Sequence, residues 1–243
     1  MLSGNATVFG IDPFSESSTP VHPIGTKGMT PDGRIFRYAK NGAVALTTGK
    51  LTIAADLVTN HEDRAFATAG AVGDKTVSIS IGATAITANQ YDEGYLVIID
   101  DTGEGHVHQI VSHGTTSGSA NVSFTISPGL EEATTTSTTV SLMRNRWSGV
   151  LISDGSQSDV AAGVTPIAVT AGYYFWAQTG GMASILTDTG AQAVQGQPIT
   201  IGGTSSGGVT IHDAATETYL GMAPVGVTPT SGEHNPYWLE IDR

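Results

Sequence analysis

Apolar and polar positions alternate most clearly after residue 75 of the chain. Val77, Ile79 and Ile81 are separated by serines, a period of two that is typical of a strand with one buried and one exposed face. Further strand-like segments follow at spacings of roughly 12 to 17 residues, bounded by glycine and polar turns. They are 94–99, 106–111, 121–126 and 139–142. This regularity predicts a small antiparallel barrel or sandwich.

A second group of strand-like runs lies towards the C-terminus. Aromatic residues fill the run Tyr173–Trp176, a Thr-Gly-Gly turn follows, and the apolar run Met182–Leu186 comes next. The segment 155–164 is mostly Gly, Ser, Asp and Ala, as in a linker. We therefore predict an all-β protein with two small antiparallel barrel or sandwich units. The expected units are residues 31–150 and residues 165–243.

Residues 1–30 precede the first unit and contain Pro13, Pro20 and Pro23. Prolines at this density prevent a helix and favour an extended path. We interpret the segment as an extended arm that lies across a neighbouring subunit, and the alternative is a frayed terminus. We favour the arm because the segment contains apolar side chains that a free tail would not need. The candidate contact residues are Phe9, Ile11, Phe14, Val21 and Ile24.

The segment 51–71 is the best helix candidate in the chain, although its signal is weak. Asn60 and His61 precede two acidic residues, an order typical of a helix cap followed by an acidic first turn. We expect a short helix here, between the arm and the alternating segments.

Composition favours strands and an assembled protein. Only 13% of the residues are charged, while Val, Ile, Thr and the 31 glycines are abundant. We therefore expect an ordered chain with part of its apolar surface buried between subunits. The net charge of −12 argues against binding to nucleic acid and permits docking onto a basic protein surface.

The sequence contains no cysteine, so a thiolate metal site and disulfides are excluded. No apolar run approaches the roughly 20 residues needed to span a bilayer, so we expect no membrane partner. The N-terminus lacks the basic start and apolar core of a signal peptide. We therefore expect the protein to be made in a cytoplasm.

Three histidines form the strongest candidate metal cluster. His106, His108 and His113 lie close to acidic residues between Asp100 and Glu104. A His-x-His pair on a strand places both rings on one face, as a zinc site requires. The alternative, which we favour, is a solvent-facing pair opposite a buried Val107. The acidic residues lack the spacing of a calcium loop and predict a charged hairpin tip.

Other chemistry has little support in the sequence. No serine lies in a nucleophile-elbow motif, and no phosphate-binding loop is present. A set of aromatic side chains could line a sugar-binding groove, although packing in a core or interface is the commoner use of such residues. The set is Trp147, Tyr173, Tyr174, Trp176, Tyr237 and Trp238. We predict no catalytic residues, no cofactor and no metal.

Several segments together resemble head-associated virion structural proteins of tailed bacteriophages. They are Ile24–Tyr38, Asn41–Ala43, Gly49–Leu51, Asn60–His61, Ile81–Tyr91, Gly94–Ile98 and Ala171–Gly180. The resemblance covers nearly the whole chain from about residue 24 and is carried by these motifs in combination, none of which is catalytic.

The resemblance implies a capsid decoration or auxiliary head protein, often trimeric, that binds the outer surface of the shell. The implied partners are the major capsid protein and other copies of the chain, and the implied location is the capsid surface after assembly in the host cytoplasm. On this interpretation the arm residues clamp the major capsid protein, and Tyr173, Tyr174, Phe175 and Trp176 serve the subunit core and the oligomer interface. Alternatives are a head fibre, vertex or tail-associated protein, or a glycan-binding receptor protein.

Overall fold

The computed structural model describes residues 6–190, 192–226 and 229–242. These residues form strands throughout, which confirms the predicted all-β class. The helical content of this part of the chain is one 3-10 turn at Thr59–His61, and no helix in it is long and apolar enough to cross a membrane. The strands in chain order are β1 (Val8–Phe9), β2 (Glu16–Ser17), β3 (Lys27–Met29), β4 (Ile35–Asn41), β5 (Leu51–Ile53), β6 (Arg64–Ala65), β7 (Thr76–Ser80), β8 (Tyr95–Asp100), β9 (Val107–His113), β10 (Asn121–Ser127), β11 (Thr139–Met143), β12 (Ser148–Ile152), β13 (Ala161–Val164), β14 (Tyr174–Leu186), β15 (Pro198–Ile201), β16 (Val209–Ile211), β17 (Gly221–Met222) and β18 (His234–Glu240).

The chain forms two compact units that differ from the predicted division. One unit, here called the barrel, is the continuous segment Asp56–Asn145. The other, here called the ring unit, combines Met1–Ala55 with Arg146–Arg243. Strands β4 and β5, which we expected in the first unit, therefore belong with the C-terminal strands. The sequence pattern missed this because alternation identifies a strand but not a partner more than a hundred residues away.

The barrel is a closed six-stranded sheet in the order β6-β11-β8-β9-β10-β7. All of its pairings are antiparallel, and it closes where the Ala67 N–H donates to the Ser78 carbonyl at 2.8 Å. Closure removes the free edges of the sheet. Alternate residues point inwards and form one apolar core. Its largest members include Phe66, Ile79, Tyr91, Leu96, Ile98 and Phe124.

The ring unit is a second closed arrangement, with the strand order β4-β12-β5-β13-β14 and a pairing of β14 back to β4. Strand β14 extends beyond the ring: its first half pairs with β4 and its second half with β18. Gly180 and Gly181 lie where the partner changes. A Cβ on Gly180 would lie 3.1 Å from Ile35, and Gly181 has a φ of +80° that disfavours other residues. The run β18-β17-β15-β16 continues the sheet.

The helix predicted for 51–71 is wrong. The segment instead contains β5, the 3-10 turn at Thr59–His61 and β6. All three residues of β5 are buried, because β12 and β13 flank this strand on both sides. A short run of continuously apolar residues has no period that distinguishes a buried strand from a helix. The long-range pairing therefore decided the structure.

Candidate interaction surfaces

The N-terminal arm binds its own chain over the residues that the structure describes, which begin at Ala6. Strand β1 pairs with β3 in parallel, and β2 pairs with β14. The Glu16 carboxylate accepts hydrogen bonds from the backbone N–H and the hydroxyl of Thr170, at 2.7 and 2.9 Å. Strand β3 is itself paired with β4. The described arm therefore lies across its own ring unit, whereas we expected a neighbouring subunit, and residues 1–5 lie outside the described part.

The five candidate contact residues of the arm separate into two sets. Ile11 and Ile24 pack inwards against an aromatic cluster of the ring unit. Phe9, Phe14 and Val21 point outwards and are 75%, 63% and 62% exposed. We call these three the outward arm residues. The strand pairings of the arm hold the outward arm residues in place. A partner can therefore bind these apolar groups without the entropy cost of ordering a free tail.

A glycine allows the inward side chains to reach the cluster. A Cβ on Gly28 would lie 2.6 Å from the Trp176 ring and 2.9 Å from the Ile11 Cδ1 atom. Ile11 and Trp176 therefore meet across β3 at a position where no side chain fits.

The aromatic run of β14 is buried within the chain. Tyr174, Phe175 and Trp176 are 8%, 1% and 4% exposed. Tyr38 stacks on Tyr174 with ring centroids 5.8 Å apart and meets Trp176 edge-on at 5.1 Å. These three side chains leave too little surface for a second subunit, so the predicted oligomer interface is not formed by them. They complete a core that the sequence pattern could not distinguish from an interface. The fourth predicted residue, Tyr173, is half-buried and packs against the cluster that contains Phe175.

Tyr38 connects this core to the arm. Its hydroxyl oxygen accepts a hydrogen bond from the Val21 N–H at 3.1 Å, and the His22 ring packs edge-on against the Tyr38 ring at a centroid distance of 5.3 Å. Burial raises the pKa of the Tyr38 hydroxyl, which keeps it neutral. The stretch 21–22 is therefore fixed to the ring unit, and the outward direction of Val21 follows from that attachment.

The tryptophans and tyrosines do not form the sugar-binding groove that we considered. Trp147 donates its Nε1–H to the Ala162 carbonyl at 3.0 Å, and the guanidinium groups of Arg37 and Arg146 lie over its ring at 5.0 and 5.4 Å from the centroid. Tyr237 is buried, whereas its neighbour Trp238 is 45% exposed. The aromatic residues thus belong to separate packing clusters of the ring unit.

A groove of about 340 Å³ lies in the ring unit beside the arm. Phe14, Pro166 and Met182 contribute apolar walls, and Arg34 and His234 contribute polar ones. The Arg34 Nε atom is already paired with the Asp32 carboxylate at 2.8 Å. The groove is chemically mixed, and its apolar side continues the surface formed by Phe14.

The three histidines of the predicted metal cluster are used differently from one another. His113 accepts from the Tyr91 N–H through Nε2 at 3.0 Å, so Nδ1 carries the proton and donates to the Gly114 carbonyl at 2.7 Å. His108 donates from Nδ1 to the Pro128 carbonyl at 3.0 Å. Among the described residues, no group of three or more His, Cys, Asp or Glu side chains could hold a metal ion.

The favoured interpretation of the His-x-His pair, with solvent-facing rings and a buried Val107, is inverted in the structure. His108 is 1% exposed and points into the barrel, whereas Val107 is 53% exposed and points out. The His106 Nδ1 and His108 Nε2 atoms are buried without a hydrogen-bond partner in the described part of the chain. The alternation predicts that Val107 and the two histidines lie on opposite faces of the strand. It does not predict which of the two faces points into the core.

A buried histidine that the sequence did not single out as a site residue is His61. The Thr84 carbonyl can only accept, so Nε2 donates to it at 3.0 Å and Nδ1 accepts from the Tyr91 hydroxyl at 2.6 Å. Burial lowers the pKa of His61, and the nearby positive charges of Arg144 and Arg64 act in the same direction. The imidazole is therefore a neutral structural group of the barrel.

The acidic segment between β8 and β9 is a hairpin connection, as predicted. The Asp101 carboxylate accepts hydrogen bonds from the Thr135 and Thr138 hydroxyls at 2.7 and 3.2 Å. The bond from Thr135 is the largest cause of the lowered pKa of Asp101, so this carboxylate is charged at neutral pH. The hairpin therefore ends in fixed negative charge.

No protein-family model, no curated protein and no solved structure matches the chain.

Proposed function

We propose that this protein is an auxiliary capsid protein of a tailed bacteriophage, which binds the outer surface of the major capsid shell and stabilises it without catalysing a reaction. The observation that carries the proposal is the set of outward arm residues Phe9, Phe14 and Val21. They are apolar, more than 60% exposed, and held on an arm that is fixed to the ring unit. The resemblance of the sequence to head-associated proteins supports the same role.

The physics of a shell suits such a surface. Each exposed Phe or Val side chain that becomes buried contributes about 1.5–3 kcal/mol, and a stable interface covers about 1,600 Å² in total. Multiple contacts on one particle raise the overall affinity through avidity. A protein that binds only the assembled shell shifts the equilibrium towards that state. Assembly as a homotrimer is part of the proposal and would supply this multivalency.

The test uses capsids made from the major capsid protein alone and the triple variant Phe9→Ser, Phe14→Ser, Val21→Ser. Cosedimentation should show at least a hundredfold weaker binding, because three apolar groups no longer leave water on docking. The control is Val44→Ser, since Val44 is 68% exposed in the same unit but lies outside the arm. Equal binding of the triple variant and the wild type would contradict the role of the arm, and absence of wild-type binding would contradict the function.

Point variants are needed because the arm also holds the fold together. Removing residues 1–30 would delete β1, β2 and β3 and uncover the cluster of Tyr38 and Trp176. Such a truncation would lose capsid binding by unfolding. Imaging labelled virions then separates shell-wide occupancy from a fibre, vertex or tail location.

A further inference from the structure

The outer surface of the barrel has two chemically different halves. Strands β7 and β10 place only hydroxyl and amide side chains outwards, and we call this half the polar wall. It consists of Thr76, Ser78, Ser80, Asn121, Ser123, Thr125 and Ser127. Strands β8, β9 and the end of β11 place mainly apolar side chains outwards, and we call these the apolar wall. It consists of Tyr95, Val97, Ile99, Val107, Val111 and Met143.

The strand register places two apolar pairs side by side at the centre of the apolar wall, flanked by Gln109 opposite Tyr95 and by Ser141 opposite Val97. Val97 lies directly opposite Val107, and Tyr95 lies directly opposite Met143. Opposed residues on one face of a sheet have Cβ atoms about 4.5–5.5 Å apart, so these side chains are neighbours. Tyr95, Val107 and Met143 are 43%, 53% and 39% exposed. Single exposed apolar residues are ordinary, but a connected group on one wall is typical of an interaction site.

The polar wall shows that the barrel does not need this apolar surface to fold. Ser78 lies directly opposite Ser123 on the outside, in the same kind of cross-strand pair as Val97 and Val107. Both walls cover the same core from the outside, and the inward positions beneath them are apolar except for His108 of β9. The two walls therefore differ chiefly on the outer surface.

A partner must bind the apolar wall through side chains. Strand β8 is hydrogen-bonded to β11 on one side and to β9 on the other, so it offers no free edge for an added strand. A flat apolar face is the remaining means of contact, with affinity from the burial of a few central side chains.

The charge around the wall indicates the chemistry of the partner. The barrel segment 56–145 contains 11 Asp and Glu against three Lys and Arg, a formal net charge of −8 out of −12 for the chain. Asp100, Asp101 and Glu104 are exposed in the hairpin where β8 ends and before β9 begins. A second copy of the barrel would bring two acidic rims together, which repel each other. A complementary surface has an apolar centre and lysine or arginine at its rim.

We infer that the apolar wall is a second docking surface, which binds an apolar, basic-rimmed face of the major capsid shell. This inference rests on the proposed function for the identity of the partner. It assigns the contact to the barrel and adds it to the contact made by the arm. The acidic rim guides association, and the apolar centre holds the complex.

The test replaces Val97 and Val107 together by Thr, which keeps the branched shape and changes one methyl of each to a hydroxyl. Binding to capsids of the major capsid protein should weaken about a hundredfold, or tenfold for each side chain. The matched control is the double variant Ser78→Thr, Ser123→Thr, which alters the opposed pair on the polar wall and should bind as the wild type does. Met143→Gln, a second variant of the apolar wall, should weaken binding about tenfold.

The outcomes separate this inference from the proposed function. Weaker binding of the Val variant, with an unchanged thermal midpoint and an unchanged control, supports the inference. Binding of wild type and Val variant with equal affinity overturns the inference and leaves the proposed function standing, whereas no wild-type binding overturns both. If ultracentrifugation shows that the Val variant loses self-association while retaining capsid binding, the apolar wall is an interface between copies and the inference is wrong.

Raising the salt concentration from 50 to 500 mM should weaken wild-type binding at least tenfold, because salt screens the charge of the acidic rim. Binding that does not depend on salt contradicts a basic-rimmed partner.

Discussion

The barrel and the ring unit are both closed β structures, but the chain builds them in opposite ways. The barrel takes β6 to β11 from one continuous segment, whereas the ring unit needs β4 and β5 from one end of the chain and β12 to β14 from the other. Closing the ring therefore brings together residues separated by the whole barrel, which costs more loop entropy and slows folding. We therefore expect the barrel to be stable by itself, whereas the ring unit depends on long-range pairing.

The tryptophans allow this comparison to be tested in one protein. Trp147, Trp176 and Trp238 all lie in the ring unit, so their fluorescence reports that unit alone. The barrel contributes to far-UV circular dichroism but contains no tryptophan. Separate midpoints from the two signals would show separate unfolding.

The largest expected effect is that of Phe124→Ala, which removes a fully buried ring from the barrel core. We expect a loss of about 3–5 kcal/mol in the free energy of barrel unfolding, from lost burial and the cavity left behind. Chemical denaturation should show an earlier circular dichroism transition and an unchanged tryptophan transition. If both signals shift together, the two units unfold as one and the comparison fails.

A smaller effect, confined to the ring unit, is expected for Ile11→Ala. Ile11 packs against the aromatic cluster beside Trp176, and its partial burial suggests a loss of about 1–2 kcal/mol. The tryptophan midpoint should fall while the barrel signal stays constant. The matched control is Phe9→Ala, since Phe9 is 75% exposed on the same arm and should change stability by less than about 0.5 kcal/mol. Equal effects of the two variants would contradict the division of the arm into inward and outward residues.

The smallest effect is a pH dependence that belongs to the barrel. The pKa of His61 is lowered in the folded state, so the unfolded state binds more protons once the pH falls below its ordinary value of about 6.5. This contribution to stability is present above that pH and is lost as the pH falls towards the folded pKa, at no more than about 1.4 kcal/mol per pH unit. The barrel midpoint should drop between pH 7.5 and pH 5.5, and less so in His61→Gln. A variant with the same pH dependence as the wild type would exclude His61 as its source, and His212→Gln in the ring unit serves as the control.

The sequence predicted the barrel well because its strands are local and alternate. Val77, Ile79 and Ile81 point inwards as expected. The same rule failed for Val107 and His108, because here the inward side chain is a histidine and the outward one is a valine, so hydrophobicity indicates the wrong direction. It also failed for the ring unit, where Phe175 and Trp176 find their partners in β4, far away in the chain. Only contacts in three dimensions could show that these aromatic residues are core.

Seen from the ring unit, the entire barrel is the loop of one β-hairpin. Ile53 of β5 lies opposite Leu151 of β12, and everything between these two paired strands departs and returns at that point. Neighbouring strands lie about 4.8 Å apart, so any insert whose own ends lie close together can occupy the position without disturbing a hydrogen bond of the ring. The site is thus suited to the insertion of a domain. A lineage can replace the barrel by recombination while it inherits the ring unit unchanged, and an engineer can graft a foreign domain there for display.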